Sequence, residues 1–408
     1  MRAYKILSFS LFILLITVWF EGAMTVPAAA QYDTMQYRYN AAHAGNYSPV
    51  AGSNMSTGVL AWSFTTGSIV SSSPAVANGV VYVGSFNNNV YALNATSGAN
   101  MWNYTSGGAV YSSPAVVNGA VYVGSEDDNV YALNASTGAK LWSYATGASV
   151  YSSPAVVNGT VYVGSDDNNT YALNASTGVK LWNYTTGGAV LSSPAVVNGT
   201  VYVGSEDNNV YAINASTGVK LWNYATGSEV LSSPAVANGT IYVGSEDNNV
   251  YALSASTGAK LWSYTTGGGV YSSPAVANGT VYVGSEDNNV YALGATNGTQ
   301  LWDYTTGGGV YSSPAVANGT VYVGSEDNNV YALNATNSAE VWSFRTGGYV
   351  GSSPAVVSGT VYVGSFDGYV YAIGNEAVGT SQGVTPGFDV GLAFVGLVIA
   401  AYVVRRKS

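Results

Sequence analysis

Residues Ser272–Tyr311 read SSPAVANGTVYVGSEDNNVYALGATNGTQLWDYTTGGGVY, and this 40-residue unit recurs about eight times along the chain. One proline and one tryptophan mark each copy, and both series step by 40 residues without a slip. A fixed period of this length predicts a repeat architecture. The prolines are Pro74, Pro114, Pro154, Pro194, Pro234, Pro274, Pro314 and Pro354. The tryptophans are Trp62, Trp102, Trp142, Trp182, Trp222, Trp262, Trp302 and Trp342.

Each unit contains four short stretches with the composition of β-strands. In the copy at residues 112–151 we assign strand A to Ser113–Val117, strand B to Ala120–Gly124, strand C to Val130–Asn134 and strand D to Lys140–Ala145. Strands A and B are joined by Asn-Gly, the dipeptide most favoured in two-residue hairpins. Because β-branched and aromatic residues fill the strand positions, the unit predicts a four-stranded antiparallel propeller blade rather than a helical repeat.

The segment at residues 132–142 has the pattern A-x-N-x-x-T-G-x-x-x-W. This pattern resembles the tryptophan-docking motif of the PQQ-like propeller repeat, with Asn134 at a position where that family usually has Asp. The resemblance runs from Trp62 to Ile373. It implies that each tryptophan packs between adjacent blades as a structural docking residue, and that the Thr-Gly turn shapes the corner between strands C and D.

The two ends of the repeat region predict how the ring closes. Trp62 lies on a strand D, Val59–Thr65, that no strand A, B or C precedes. The last unit, Ser352–Ile373, has strands A, B and C and no strand D. We therefore predict an all-β fold at residues 58–374: an eight-bladed propeller of four-stranded antiparallel blades, in which the N-terminal strand D completes the last blade.

The N-terminal residues have the features of a secretory signal. Arg2 and Lys5 precede an apolar run, Ile6–Phe20, and small residues follow at Ala28–Ala30. We predict a signal peptide at residues 1–30; an uncleaved N-terminal anchor is the alternative. Residues 31–57 are a polar lead-in segment that we expect to pack on the propeller.

The C-terminus carries a second targeting signal. Residues 375–385 form a polar linker, and residues 386–408 contain Pro-Gly-Phe, an apolar run and a basic tail, in that order. This order resembles the archaeal PGF-CTERM sorting signal, and the resemblance implies that the tail is removed and the protein is retained at the cell surface. The alternative is a simple transmembrane anchor with its basic tail inside. Both place the propeller outside the cell, tethered to the membrane.

The composition excludes several classes of function. Between Gln31 and Pro386 there are six basic and 19 acidic residues, which argues against nucleic acid as a partner. The chain has no cysteine, so it cannot use a thiolate or a Cys-ligated metal, and His43 alone cannot build a multi-histidine site. We expect a monomeric propeller with surface or envelope proteins, or glycans, as its partners.

Acidic loops join strands B and C in most units, and we expect them to share one face with the D–A loops. Carboxylate and Asn oxygens suit calcium, although Asp and Asn also favour turns for local reasons. The sequence leaves both interpretations open. The candidate calcium loops contain Glu206, Asp207, Glu246, Asp247, Glu286, Asp287, Glu326 and Asp327.

The copies differ most where the first and last blades should meet. The B–C loop carries Phe86 in the first blade and Phe366 and Tyr369 in the last, and Tyr349 lies on the D–A loop between them. Exposed aromatic clusters mark contact sites, so these four residues are candidate binding residues. The alternative is that they pack against the lead-in segment.

Sequons of the form N-x-[ST] recur in the A–B turns. On an exported protein they are candidate glycosylation sites, although Asn-Gly is also the hairpin dipeptide. The candidate residues are Asn158, Asn198, Asn238, Asn278 and Asn318.

The resemblance implies three classes of function. Some PQQ-like propellers bind pyrroloquinoline quinone and calcium and oxidise alcohols or sugars, at a site with a carboxylate base, calcium ligands and an arginine. This chain is a set of near copies, with only Arg38 and Arg345 between the two ends, so we expect no enzyme, no quinone and no required cofactor. We predict a non-catalytic cell-surface binding or scaffold protein. An assembly or chaperone-like platform is the first alternative, and a quinone-dependent dehydrogenase is the second.

Overall fold

The computed structural model describes residues 57–374, together with Thr34, Met35, Asn40 and Gly45. The signal peptide predicted at residues 1–30, the linker at 375–385 and the sorting signal at 386–408 lie outside these residues. All regular structure in the described part is β-strand, and this part contains no helix of the length and apolarity needed to cross a membrane.

The strands form eight antiparallel sheets, one for each blade, which we number I to VIII in chain order. Strand β1 is Thr34–Met35 and strand β2 is Val59–Thr65. In every blade the strands are hydrogen-bonded in the order A, B, C, D. The predicted eight-bladed propeller is confirmed.

The blades repeat almost identical strand bounds. Strands A are β3 (Ala75–Ala77), β7 (Ala115–Val117), β11 (Ala155–Val157), β15 (Ala195–Val197), β19 (Ala235–Ala237), β23 (Ala275–Ala277), β27 (Ala315–Ala317) and β31 (Ala355–Val357). Strands B are β4 (Val80–Gly84), β8 (Ala120–Gly124), β12 (Thr160–Gly164), β16 (Thr200–Gly204), β20 (Thr240–Gly244), β24 (Thr280–Gly284), β28 (Thr320–Gly324) and β32 (Thr360–Gly364). Strands C are β5 (Asn89–Asn94), β9 (Asn129–Asn134), β13 (Asn169–Asn174), β17 (Asn209–Asn214), β21 (Asn249–Ser254), β25 (Asn289–Gly294), β29 (Asn329–Asn334) and β33 (Tyr369–Gly374). Strands D are β6 (Asn100–Thr105), β10 (Lys140–Ala145), β14 (Lys180–Thr185), β18 (Lys220–Ala225), β22 (Lys260–Thr265), β26 (Gln300–Thr305), β30 (Glu340–Arg345) and, in blade VIII, β2.

Blade VIII closes the ring as predicted. Its outermost strand is β2, which pairs antiparallel with β33 from Val59 opposite Gly374 to Thr65 opposite Tyr369. The first and last parts of the repeat region therefore share one sheet. No strand edge is left open between the start and the end of the ring.

The position of each strand in the blade explains its burial. Strands A of neighbouring blades approach one another around the central channel, so strand A is innermost and strand D is outermost. Strands A, B and C are buried on both faces, for example Val121–Val123, which explains their weak alternation. Strand D alternates: Trp142 points inward and is buried, whereas Leu141 and Ser143 are exposed.

Strand A begins at Ala115, two residues later than we predicted from the sequence. Pro114 has no N–H group to give to a sheet. The N–H of Ser113 donates to the Oγ of Ser153 in the next blade, at 2.9 Å, so it does not pair with strand B.

These serine contacts form a closed circle around the channel. In each blade the backbone N–H of the second serine of SSPAV donates to the Oγ of the equivalent serine one blade further on. The distances are 2.8 to 3.1 Å, and the serines are all buried. The circle closes where Ser353 N–H donates to Ser73 Oγ. Each blade is thus positioned by its neighbour at the axis.

A second contact joins the blades nearer their outer edges. Trp102 Nε1 and Tyr82 Oη of blade I both donate to the carbonyl of Ala135 in blade II, at 2.9 and 3.1 Å. The Trp102 ring lies on Gly138, where a Cβ would come within 2.6 Å of the ring and where φ is +71°. Glycine has no Cβ and therefore suits both this backbone conformation and this close approach, although blade VII has Ser338 at the equivalent position with φ +58°. The equivalent acceptor for Trp342 would be Asn375, which lies outside the described residues.

The A–B connection is a two-residue hairpin. Asn158 and Gly159 have φ values of +49° and +74°, as the type I′ turn requires. The same signs recur at the equivalent Asn-Gly pairs of the other blades and at Ser358-Gly359 in blade VIII. We call the side of the ring that carries the A–B and C–D turns (residues 118–119 and 135–139 in blade II) the turn face.

Two short parts of the lead-in lie against innermost strands. Strand β1 pairs antiparallel with β7 of blade II, with Met35 opposite Val116. The carbonyl of Gly45 accepts a hydrogen bond from Val316 N–H of blade VII, at 2.8 Å, and Gly45 is buried. Met35 and Gly45, ten residues apart in the chain, therefore contact the innermost strands of two different blades, II and VII.

The serine circle predicts a specific stability loss. Ser193→Ala removes the Oγ that accepts the Ser153 N–H and leaves this buried donor without its partner. We expect the free energy of unfolding to fall by about 1–3 kcal/mol. Urea denaturation followed by tryptophan fluorescence measures the change.

The matched control is Ser216→Ala, on an exposed C–D turn where only the backbone N–H of Ser216 is bonded. We expect its urea midpoint to equal that of the unsubstituted chain. Equal midpoints for Ser193→Ala and Ser216→Ala would contradict a structural role for the circle.

Candidate functional site

The B–C and D–A loops lie together on the side of the ring opposite the turns. In blade II the N–H of Glu126, on the B–C loop, donates to the carbonyl of Ala109, on the loop that enters the blade, at 2.9 Å. Equivalent bonds recur in the other blades. We call this side, which in blade II comprises residues 106–111 and 125–128, the loop face.

The second acidic residue of each B–C loop is held by a network of donors. Asp127 Oδ2 accepts from Gly107 N–H at 2.5 Å and from Tyr131 Oη at 2.6 Å. Its Oδ1 accepts from the backbone N–H and the side-chain amide of Asn129, both at 3.1 Å. Oδ2 therefore joins the B–C loop to the loop that enters the same blade, and Oδ1 closes the turn between the B–C loop and strand C.

These bonds set the charge state of the aspartate. Burial by itself would raise the pKa of Asp127, but the donors from Tyr131, Gly107, Asn129 and Ser125 outweigh it and hold the pKa below its ordinary value. The same balance lowers the pKa values of Asp167 and Asp327.

Blade I shows what the network requires of the aspartate, because Asn87 replaces it there. The Nδ2 of Asn87 donates to the carbonyl of Thr66 at 2.5 Å, and to Tyr91 Oη at 2.7 Å. An amide thus reverses the direction of the bonds and still joins the two loops. The fold needs a short polar side chain at this position, and the aspartate supplies a negative charge in addition.

In several blades the first acidic residue of the B–C loop accepts a hydrogen bond from a tyrosine at the mouth of the channel. Tyr151 Oη donates to Glu126 at 3.2 Å, and Tyr311 Oη donates to Glu286 at 2.8 Å. Burial, followed by the charge of Glu126, raises the pKa of Tyr151 to about 12, so this phenol remains a donor at neutral pH.

These glutamates are close enough to affect one another. Burial and then the charges of Glu286 and Glu206 raise the pKa of Glu246, and hydrogen bonds from Tyr271 and Ser228 offset only part of this. Burial and the charge of Glu286 likewise raise the pKa of Glu326. The mouth therefore concentrates negative charge in blades IV to VII.

The candidate calcium loops are arranged as hydrogen-bonded turns. The oxygens of Asp207, Asp247, Asp287 and Asp327 accept bonds from a neighbouring glycine, an asparagine and a tyrosine. Within residues 57–374 no three acidic or histidine side chains converge as metal ligands would. Calcium binding by Glu206, Glu246, Glu286 or Glu326 stays a prediction.

The four aromatic candidate binding residues lie near the seam, which is the junction between blades VIII and I. They form three separate ring contacts. Tyr349 lies against Phe366, with ring centroids 6.0 Å apart. Phe86 packs on Tyr111 of blade II at 3.9 Å, and Tyr369 packs on Tyr371 at 5.9 Å. Tyr349 is 39% exposed and Tyr369 is 38% exposed. The exposed aromatic surface thus belongs to blade VIII, and we call Tyr349, Phe366 and Tyr369 the seam surface.

The quinone site that the resemblance implies is not matched by the described residues. Arg345 is exposed on β30, an outermost strand, where it pairs with Asn329. Arg345 therefore lies away from the channel. The inner strands surround the channel, and the loop-face glutamates lie at its mouth. The donor set of an arginine, a carboxylate base and convergent calcium ligands is not assembled by residues 57–374.

The candidate glycosylation residues lie on the turn face. Asn158, Asn198, Asn238, Asn278 and Asn318 are exposed at the first position of the A–B hairpins. Glycosylation of these residues stays a prediction.

Sequence reasoning offered a turn as one of two interpretations of the loop aspartates, but it did not identify the groups that donate to them. A signal was present, because the spacing Asp-x-Asn-x-Tyr recurs in blades II to VII, and it is this tyrosine that donates to the aspartate. Sequence reasoning expected the lead-in to pack on the propeller, but it did not specify the contacts at Met35 and Gly45, for which the sequence carries no periodic signal.

The carboxyl groups predict opposite effects of acid in two pH ranges. Glu246 and Glu326 have raised pKa values in the folded chain, so lowering the pH from 7 towards about 5 protonates the folded form first and stabilises it. Asp127, Asp167 and Asp327 have lowered pKa values, so below about pH 4 the unfolded chain binds protons first and stability falls. We expect the urea midpoint to rise slightly and then to fall.

The double variant Glu246→Gln and Glu326→Gln should remove part of the rise and leave the fall below about pH 4 unchanged. A midpoint that falls steadily from pH 7 in the unsubstituted chain would contradict this assignment.

Comparisons with known proteins agree with the fold. A family model described as outer membrane protein assembly factor BamB (PQQ_2) matches residues 48–188, 145–266, 227–310 and 304–379. A PGF-CTERM motif matches residues 385–407. A search of curated proteins finds no significant match.

The similar solved structures include proteins with different activities. BamB from Moraxella catarrhalis is 19% identical, with a TM-score of 0.69, over 78% of this chain and 99% of that one. The computationally designed Ika8 protein is 16% identical, with a TM-score of 0.70, over 78% and 99%. Quinohemoprotein alcohol dehydrogenase ADHIIG from Pseudomonas putida HK5 is 18% identical, with a TM-score of 0.74, over 87% and 82%. At these identities the likeness shows the fold alone.

The family model covers most of the chain, and the eight blades have the geometry of its repeat. The PGF-CTERM motif is a C-terminal surface-anchoring signal, so the protein is held on the outside of the cell. The chain belongs to the PQQ_2 family of BamB-like propellers and is a surface-anchored member of it.

Proposed function

We propose that the protein is a non-catalytic binding protein of the cell envelope, which presents its propeller to a protein or glycan partner through the seam surface. One observation carries the proposal. Among residues 57–374, Tyr349 and Tyr369 are the two most exposed aromatic side chains; Tyr349 lies on the loop face of blade VIII, and Tyr369 directly follows the B–C loop of that blade. Exposed tyrosine supplies a large contact area together with a hydrogen-bonding group.

The uniformity of the other blades supports the seam surface as the binding site. Most positions that repeat around the ring have a structural use: the second serine positions the neighbouring blade, and the loop aspartate joins two loops. Blade VIII departs from the pattern at several positions on one face, and at three of them it gains an aromatic side chain. It has Tyr349 where blade VII has Gly309, Phe366 where blade VII has Glu326, and Tyr369 where blade VII has Asn329.

Repetition also favours binding over catalysis. A catalytic centre needs unlike groups that converge on one reacting atom. Here each repeated carboxylate occurs several times at equivalent places, and the loop aspartates spend both oxygens on the fold. We therefore infer that the protein has no quinone-dependent activity.

An envelope-assembly role is the second candidate, because the family model is described as an outer membrane protein assembly factor. In this role the seam surface would bind another envelope protein while that protein is being assembled.

The seam surface can be tested by giving blade VIII the residues of blade VII. The triple variant Tyr349→Gly, Phe366→Glu and Tyr369→Asn uses side chains that this fold already accommodates at the equivalent positions. We expect the immobilised full chain to retain a defined set of envelope proteins or glycans, and the triple variant to lose at least tenfold in retention, as for an interface that loses its aromatic anchors.

The control is Leu301→Gln, which changes an exposed apolar side chain on the outer edge of blade VI. We expect it to retain the same components as the unsubstituted chain. Retention by the triple variant equal to that of the control would overturn the seam surface as the binding site.

Absence of catalysis is tested separately. The full chain is incubated with pyrroloquinoline quinone, calcium and a panel of alcohols and sugars, and reduction of an electron-accepting dye is followed. We expect the rate to equal that of the quinone without protein. Turnover that depends on both the quinone and the protein would overturn the non-catalytic assignment.

A further inference from the structure

The basic residues of the propeller lie together on its outer edge. Four of the five basic residues between positions 57 and 374 are lysines at the first residue of strand D, in the consecutive blades II to V. All four are exposed. They are Lys140, Lys180, Lys220 and Lys260.

An exposed leucine follows each of these lysines, at a β-bulge of strand D. Lys140 pairs with Leu133 and Trp142 pairs with Ala132, so Leu141 between them has no partner opposite it. Leu141 is 53% exposed. The equivalent leucines are Leu181, Leu221 and Leu261, which are 52–55% exposed. In the two central blades, Val179 and Val219 are each 61% exposed directly before the lysine.

We name these lysines, leucines and two valines the lysine arc. The arc is confined to half of the ring. Blades I, VI and VII have Asn100, Gln300 and Glu340 in place of the lysine, and strand D of blade VI adds Asp303. Lys180 and Lys220 donate to the neutral side chains of Asn183 and Asn223, at 3.2 and 3.1 Å, so these contacts leave their positive charge in place.

The charges of the two faces have opposite signs. Strand D starts directly after the C–D turn, so the arc borders the turn face. Most of the carboxylates of the propeller are on the loop face, in the B–C loops. A negatively charged plane would attract the arc and repel the loop face.

The chain leaves the propeller towards its anchor from the same side. Strand β33 runs from the loop face to the turn face and ends at Gly374. Ten residues, 375–384, separate it from the PGF-CTERM match. Fully extended, a segment of this length spans about 33–36 Å, which is long enough to connect the turn face to a membrane beside it.

We propose that the lysine arc docks on the anionic lipid headgroups of the membrane that holds the protein's own anchor. The lysines interact with the headgroup charges, and the bulged leucines and the two valines enter the interfacial region, as in other peripheral membrane contacts. Docking through the arc turns the loop face and its seam surface away from the membrane. The proposal concerns a surface other than the seam surface, so either can fail without the other.

The absence of cysteine makes a direct test possible, because one introduced cysteine is labelled alone. Leu221→Cys carries a polarity-sensitive fluorophore in the centre of the arc, and Leu301→Cys carries it at the equivalent bulge of blade VI, which is 56% exposed. The full chain is reconstituted through its anchor into nanodiscs of phosphatidylglycerol or of phosphatidylcholine. We expect a blue shift only for the label at position 221, only in phosphatidylglycerol, and reversed by 0.5 M salt.

The charge is tested with two variants of equal net change. Lys140, Lys180, Lys220 and Lys260 are replaced by Gln in the first. In the control, Asn168, Asn208, Asn248 and Asn288 on the loop face are replaced by Asp, which blade II already has at the equivalent Asp128 with φ +68°. We expect the first variant to lose the blue shift, because each lysine removed lowers the equilibrium constant for docking about fivefold. We expect the control to keep the blue shift.

Three results would overturn the proposal. One is an equal shift at positions 221 and 301, and another is a shift that survives the loss of the lysines. The third is a shift at position 221 that requires added envelope protein, because this would assign the arc to a protein partner.

Discussion

The structure depends on the closure of a circle of hydrogen bonds in which each blade is positioned by the next. The serine N–H to serine Oγ bonds run through all eight blades and return from Ser353 to Ser73. Blade VIII contributes Ser353 to this circle, and β2 supplies the outermost strand of the same blade. The ring is therefore closed twice in blade VIII, by hydrogen bonds at the axis and by strand pairing at the outer edge.

The remaining contacts between blades follow from that spacing. Once neighbouring strands A are held at the axis, Tyr82 and Trp102 reach the same carbonyl of Ala135, and Gly138 meets the tryptophan ring. On the loop face, Asp127 reaches Gly107 on the loop entering its blade. These bonds use the polar groups that repeat around the ring. Chemistry specific to one partner must therefore come from positions where the copies differ, or from side chains that point away from the ring.

Much of the fold could be predicted because its signals are local or periodic. The Asn-Gly hairpins, the four strands and the lone strand D at Trp62 are read directly from the unit and its phase. Burial was harder to predict, because the β-bulge between Lys140 and Trp142 leaves both Lys140 and Leu141 exposed, whereas a regular strand would place them on opposite faces. The loop aspartates were left open between a turn and a calcium site, since Asp favours both, and the deciding donor, Gly107, belongs to a different loop. The pairing of Met35 with Val116 joins residues far apart in the chain and carries no pattern.

The way in which the ring closes also has a consequence for how such a chain can change over generations. Strands β2 and β33, which close the ring, are the first and last strands of the repeat region. Recombination between two near-identical internal units therefore removes or adds one whole blade and leaves this closing pair unchanged. Every new junction then joins the same two surfaces as before. Drift in the number of copies is therefore limited by which ring sizes can close around the axis, and not by the chemistry of any single junction.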